Sequence, residues 1–224
     1  MVGGRKPMKF ESNVQTKPRR MVIIRNRGII STAVLIALVF IVYVCTLSLK
    51  TSSRQLEYAS YPRTYAEYVE KEAKECHLEP ALVYAVIKQE SGFDPKCVSN
   101  AGAIGLMQIM PDTFHSLTAE MNKSDGREYM EDDLYDPKTN IRFGCKYLSI
   151  LLKVYPKPAT ALAAYNAGMG NVGGWLQDKN FSDDRQTLRK IPFPETQQYT
   201  QKVLENYVQY KRLYYTQAVS AQNK

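Results

Sequence analysis

The sequence predicts a mainly α-helical domain, with at most a minor β element, preceded by a single transmembrane helix. Three observations carry this. Gly28 to Leu49 is a run of 22 residues without a charge. From Pro62 onward, apolar residues recur at helical spacing, and prolines stand where helices would open. No run of alternating apolar residues suggests a substantial sheet.

Composition narrows the class. The 224 residues are 44% hydrophobic and 23% charged, too apolar for a disordered chain. Four cysteines exclude a disulfide-dense scaffold. The net charge is +8, but residues 1–27 hold eight basic side chains and one acid, Glu11. The rest of the chain therefore carries only about +1, which argues against a nucleic-acid interface on the folded part.

Taken in order, residues 1–27 read as a basic cytoplasmic tail and 28–49 as a membrane helix. A helix of about 20 apolar residues crosses the hydrocarbon core. The cations before the span outnumber Lys50 and Arg54 after it, which predicts a cytoplasmic N-terminus and an exported remainder. An uncleaved anchor is favoured over a signal peptide, because the apolar run exceeds about 7–15 residues and no small-x-small cleavage site follows. Cys45 lacks a small residue before it of the kind a lipidation signal would have. Met21 is an alternative start, since Arg25 and Arg27 would still orient the span.

Residues 50–61 are polar and read as a tether, 62–216 as the exported domain and 217–224 as a C-terminal tail. Fully extended, the 12-residue tether would reach at most roughly 40 Å. The first helix is expected between Pro62 and Lys74. Pro80 opens a second, which stops near Gly92, and a third is expected to follow Gly105, with Leu106, Ile109, Met110 and Phe114. Asp136-Pro137 reads as cap and first residue of a helix carrying Ile141, Phe143 and Leu148. Pro158 opens another that ends at Gly168, and Pro194 opens the last. The acidic stretch from Glu120 to Asp136 reads as a solvated loop, because its spacing does not match a calcium loop.

Cys76, Cys97 and Cys145 are exported on this reading, and an odd number cannot all pair within one chain. A Cys76–Cys97 bridge and three small packing residues are both open. The two histidines, His77 and His115, lie in no zinc or triad pattern, so no metal is expected.

Glu90 stands out. It shares a helix face with Val83, Val86 and Ile87, and a carboxyl at the end of an apolar stripe is poorly placed to solubilise. Burial would raise its pKa and suit it to general acid work, although a terminal glutamate can also turn to solvent. Three other stretches accompany it: Gly102 to Gln108, small residues leading to an amide; Ala163 to Gly168, with Tyr165 and Asn166 at a helix end; and Pro192 to Tyr199, a stiff helix entry. Amides and tyrosines are the groups a sugar site uses.

The run ALVYAVIKQESGFDPKCVSNAGAIGLMQIMP, followed by AAYNAG and PFPETQQY, resembles the catalytic domain of the soluble lytic transglycosylase family, related in fold to goose-type lysozymes. The resemblance covers about residues 62–215 and implies a lysozyme-like helical domain. It implies that Glu90 is the sole catalytic acid/base. Ser99, Gln108, Met110, Tyr165, Asn166 and Tyr199 match substrate-contacting positions. Glu195 matches a position read as bracing the Tyr199 helix. Nothing before residue 62 resembles the family's large superhelical domains, so a minimal, anchored version is expected.

The resemblance further implies cleavage of the MurNAc-β-1,4-GlcNAc bond of peptidoglycan strands, with formation of 1,6-anhydroMurNAc and no cofactor. Asp94 and Asp112 read as caps rather than as a second catalytic carboxylate. The alternatives are a lysozyme-like muramidase using the same Glu90, and a membrane-tethered peptidoglycan-binding module without turnover. A nucleic-acid- or lipid-binding protein is suggested only by the basic tail.

Overall fold

The computed structural model describes Met1 and residues 20–216, with side chains from residue 31 onward. Most of the expected basic tail and all of the 217–224 tail lie outside the described residues. The chain divides into two compact units, the first ending at Glu57 and the second beginning at Tyr58.

Apart from Met1, helix α1, Arg20–Ser60, makes up the described part of the first unit, and its last three residues belong to the second. Among the described residues, one helix, over Ser31–Ser60, is long and apolar enough to cross a membrane. Val34, Leu35, Phe40, Ile41 and Tyr43 are all exposed, so among the described residues the apolar run turns no face into a core. The segment expected to be a polar tether is helical to Ser60. The hydroxyls of Thr51 and Ser53 return to the carbonyls of Leu47 and Leu49, and residues 50–61 contain neither proline nor glycine.

The second unit is helical. Helix α2 is Ala66–Glu75, α3 Pro80–Glu90, α4 Pro111–Asp125, α5 Pro137–Val154, α6 Pro158–Ala167, α7 Met169–Gln177 and α8 Pro194–Tyr210. Proline stands in the first turn of α3, α4, α5, α6 and α8, where the absent N–H has no intrahelical partner to lose. Asp136 caps α5 by accepting from the Thr139 N–H at 2.9 Å. A π-turn, Lys211–Tyr215, extends α8.

The core lies around α3 and α6. Ala81 to Ile87 are buried without interruption, as are Thr160 to Tyr165. Each large apolar side chain so buried contributes roughly 1.5–3 kcal/mol. Helix α3 packs chiefly against α8, and α6 against α5, α7 and α8. The end of α3 at Glu90 is thereby fixed relative to the start of α8 at Pro194, 104 residues on in sequence.

Two further expectations are corrected. The segment after Gly105 is a tight turn, and its helix starts only at Pro111. Gly105 and Gln108 have φ of 78° and 47°, which no α-helix accommodates. Isolated antiparallel bridges Val98–Ile104 and Ile104–Ile109 are the β element there. The acidic stretch is mostly exposed, as expected, but it is not a loop throughout: α4 continues to Asp125, and a 3₁₀ turn spans Glu131–Tyr135. Helix α7, with its three glycines, had no clear sequence signal. The cysteines are free thiols, so Cys76 and Cys97 are not bridged.

Candidate active site

Glu90 is the last residue of α3. The chain leaves the helix through Ser91, whose hydroxyl donates to the Leu106 carbonyl at 2.8 Å and accepts from the Phe93 N–H at 3.2 Å. The acid is thus pinned beside the 104–109 turn. Phe93 has φ 73° and Gly92 φ 58°, a left-handed reversal that lets the chain double back.

An open groove of about 480 Å³ lies in front of Glu90, lined also by Ser99, Ala103, Gln108, Met110, Tyr165 and Asn166. The surrounding protein desolvates the Glu90 carboxyl and raises its pKa from 4.5 to about 7, against a smaller opposing effect of the Tyr199 hydrogen bond. The Tyr199 hydroxyl donates to Glu90 Oε1 at 2.6 Å. Burial, then the nearby Glu90 charge, pushes the phenols of Tyr165 and Tyr199 up, so both remain donors.

The residues expected at the site take distinct places. Tyr199 is buried and stands behind Glu90 as its hydrogen-bond donor, outside the groove lining. Gln108 Nε2 donates to the carbonyls of Cys97 and Gly105 at 3.0 and 2.9 Å, leaving Oε1 as the group it offers a ligand. Ser99 Oγ accepts from the Ala103 N–H at 3.0 Å and shapes the turn. Tyr165 donates to the Met107 carbonyl at 2.8 Å, and its ring forms groove wall. Asn166 Oδ1 accepts from the Thr196 hydroxyl at 2.8 Å, joining the ends of α6 and α8. Met110 is exposed at the edge.

Glu195 does not brace α8 through a side-chain bond. It is exposed in the first turn of α8 and lines the groove. Asn100 and Ala101 also line it, beyond the expected set. Their only sequence signal was adjacency to Ser99. Two other clefts, about 350 Å³ beside Arg142 and about 560 Å³ along α8, hold no unpaired buried acid.

A carboxyl whose pKa burial raises to about 7, in a groove walled by amides and tyrosine, is an arrangement able to carry out general acid–base chemistry. The sequence comparisons agree with that class. The family described as Transglycosylase SLT domain matches residues 67–188. The chain belongs to that family.

Individual similarities are consistent with this. A putative soluble lytic murein transglycosylase of Haemophilus influenzae is 37% identical over 147 residues, covering 64% of this chain and 24% of its own length. A membrane-bound lytic murein transglycosylase C of Actinobacillus pleuropneumoniae is 38% identical over 121 residues, 49% of this chain and 32% of that protein. Among solved structures, the 70 kDa soluble lytic transglycosylase of Escherichia coli aligns with a TM-score of 0.60 at 31% identity, over 70% of this chain and 25% of that one. An inactive mutant of lytic transglycosylase Slt from Pseudomonas aeruginosa aligns at 0.57 and 34%, over 68% and 24%. The chain spans about a quarter of the length of the soluble relatives it matches.

Proposed function

We propose that this chain is a membrane-anchored peptidoglycan lytic transglycosylase that cleaves the MurNAc-β-1,4-GlcNAc bond and leaves 1,6-anhydroMurNAc. The observation that carries the reading is Glu90, a desolvated acid with a pKa of about 7, half-buried beside a groove and hydrogen-bonded to Tyr199. Family membership and the relatives' names support it.

In the proposed reaction, protonated Glu90 donates to the oxygen linking MurNAc C1 to GlcNAc C4, and that C1–O bond breaks. The acetamido carbonyl of the same MurNAc supports the charge developing at C1. Glu90, now ionised, takes the proton from the sugar's C6 hydroxyl, whose oxygen bonds to C1. The acid is restored and no water is consumed. Attack from within one sugar ring gains from proximity. A pKa near neutrality suits a group that both gives and takes the proton.

One observation favours a second reading. Among the described residues lining the groove, Glu195 is the other carboxylate, and a second carboxylate could activate water as in a muramidase. Mass spectrometry of a peptidoglycan digest separates the two. Anhydro ends support the transglycosylase; products heavier by one water assign the chain to hydrolysis.

The proposed location is the cytoplasmic membrane, with a cytoplasmic N-terminus, a span within residues 28–49 and the domain from residue 62 on the outer side. The charge asymmetry around the apolar run and the membrane-bound relative support this. A protease-accessibility assay on intact and opened cells tests it.

A further inference from the structure

We propose that Asn140 is a positioning residue for the groove: through hydrogen bonds to the backbone of Ile104 and Met107, and a third to the Leu134 carbonyl, it holds the 104–108 turn so that Gln108 and Tyr165 face the ligand. The functional part of this inference rests on the transglycosylase reading.

Asn140 sits in the second turn of α5 and is completely buried. Its Oδ1 accepts from the Met107 N–H at 2.7 Å. Its Nδ2 donates to the carbonyls of Ile104 and Leu134, both at 2.8 Å. All three partners are main-chain atoms of other segments. Helix α5 gains nothing from them, because Asp136 already caps it through Thr139, and alanine at 140 would favour the helix more. A buried amide is costly unless its groups are paired. Two of the three bonds are made to the 104–108 turn, and the third ties the same amide to the 3₁₀ turn at Leu134.

The turn requires such a hold. Gln108 lies in the left-handed region at φ 47°, a conformation that costs a non-glycine residue roughly 1–2 kcal/mol. Gly105, at φ 78°, is fitted to the amide: a Cβ there would lie 2.2 Å from Asn140 Nδ2 and 2.5 Å from the Leu134 carbonyl. One turn along α5, a Cβ at Gly144 would lie 2.3 Å from Met107 Sδ, so the helix backbone lies directly against the turn. Two routes lead from the clamped segment to the groove. The Met107 carbonyl takes the Tyr165 hydroxyl. Gln108 folds back on Cys97 and Gly105, which leaves its oxygen facing outward. Asn140 itself is absent from the groove lining.

The test uses the full chain in detergent micelles and soluble, uncross-linked glycan strands. Wild type is compared with Asn140→Ala, Gln108→Ala, the double variant and Gly105→Ala, which displaces the amide without removing it. Thermal unfolding first establishes the folded fraction of each at the assay temperature. In Asn140→Ala and Gly105→Ala, amide hydrogen exchange over 104–109 should accelerate at least about tenfold while α8 is unchanged. The kcat/KM of Asn140→Ala should fall roughly 10- to 100-fold, mainly through KM. The double variant should lose less than the product of the single losses. Unchanged exchange over 104–109, multiplicative losses, or a fall in kcat that only tracks the folded fraction would each overturn the proposal. Failure of the wild type to cleave glycan would sink the transglycosylase reading instead, and the exchange result would still decide whether Asn140 holds the turn.

Discussion

The replacement Glu90→Gln should abolish cleavage and at the same time stabilise the fold at alkaline pH. In the unfolded chain Glu90 titrates near 4.5, and in the folded protein near 7, because burial disfavours its charged form. Below pH 4.5 both states hold the proton and the group contributes no difference. Between pH 4.5 and 7 the unfolded chain releases a proton that the folded protein keeps, so stability falls as pH rises. Above pH 7 the loss is complete. At about 1.36 kcal/mol per pKa unit it reaches an upper value of about 3 kcal/mol. Glutamine has nearly the same shape, can accept the Tyr199 hydroxyl and carries no charge to desolvate. Glu90→Gln should therefore match wild type at pH 4.5 and exceed it by up to about 3 kcal/mol at pH 8. For a domain of this size that corresponds to roughly 6–12 °C in melting temperature. Trp175 is the single tryptophan, is nearly buried and packs edge-on against Phe193 at 4.8 Å, so its fluorescence reports the domain. Urea titrations at both pH values give the comparison. Equal stability at pH 8, or the same gain at both pH values, would refute the desolvation argument.

The Tyr199 hydrogen bond holds the Glu90 pKa down, so Tyr199→Phe should move the alkaline limb of the pH–rate profile upward; a limb that stays put would separate Tyr199 from Glu90. Arg142 contacts Asp125 through two nitrogens and binds Glu72 and Glu75 at 2.9 and 3.0 Å, with Glu72 only 1% exposed. Arg142→Met should cost roughly 3–5 kcal/mol in urea unfolding near pH 7 by stranding the Glu72 charge, with partial recovery in acid as Glu72 takes a proton; a loss below about 1 kcal/mol would mark the cluster as a surface network. Removal of residues 1–61 should leave a folded domain less stable than removal of 1–57. The rings of Tyr58 and Tyr61 meet Tyr214 and Tyr210 at 5.4 Å each, and the Tyr214 hydroxyl donates to the Tyr61 carbonyl at 2.7 Å. Two aromatic pairs and one hydrogen bond amount to roughly 2 kcal/mol or more, and equal urea midpoints would count against any role for residues 58–61.

The parts of this fold legible in sequence are those whose cause is local. Proline at a helix start acts through its own ring and missing donor, so the starts of α3, α5, α6 and α8 follow from single residues. Helical periodicity marked α3, although its burial all the way round, from Ala81 to Ile87, comes from being enclosed by neighbours. The 105–110 turn was misread because its apolar residues keep helical spacing. What breaks the helix there is the φ of Gly105 and Gln108 together with a side chain more than 30 residues downstream. The acidic stretch is solvated as its composition implies, but its helical part is not legible for a similar reason: the partner of Asp125 is Arg142, on another helix.

The site divides along the same line. Glu90 was conspicuous because a carboxyl on an apolar stripe conflicts with its surroundings, and such a conflict is visible in one sequence. Tyr199 could be named from its motif, but its place behind the acid depends on α3 packing against α8. Asn140 gave no comparable sign. An asparagine early in a helix looks like surface, and only the burial of its amide against three backbone groups reveals otherwise. Glu195 shows the limit of motif reading from the other side. The motif gives this glutamate a bracing role on the Tyr199 helix, and nothing in that role discloses that α8 opens onto the groove. Side chains that act on a ligand disclose their chemistry by type. Side chains that act on the backbone of another segment do so only once that segment is in place.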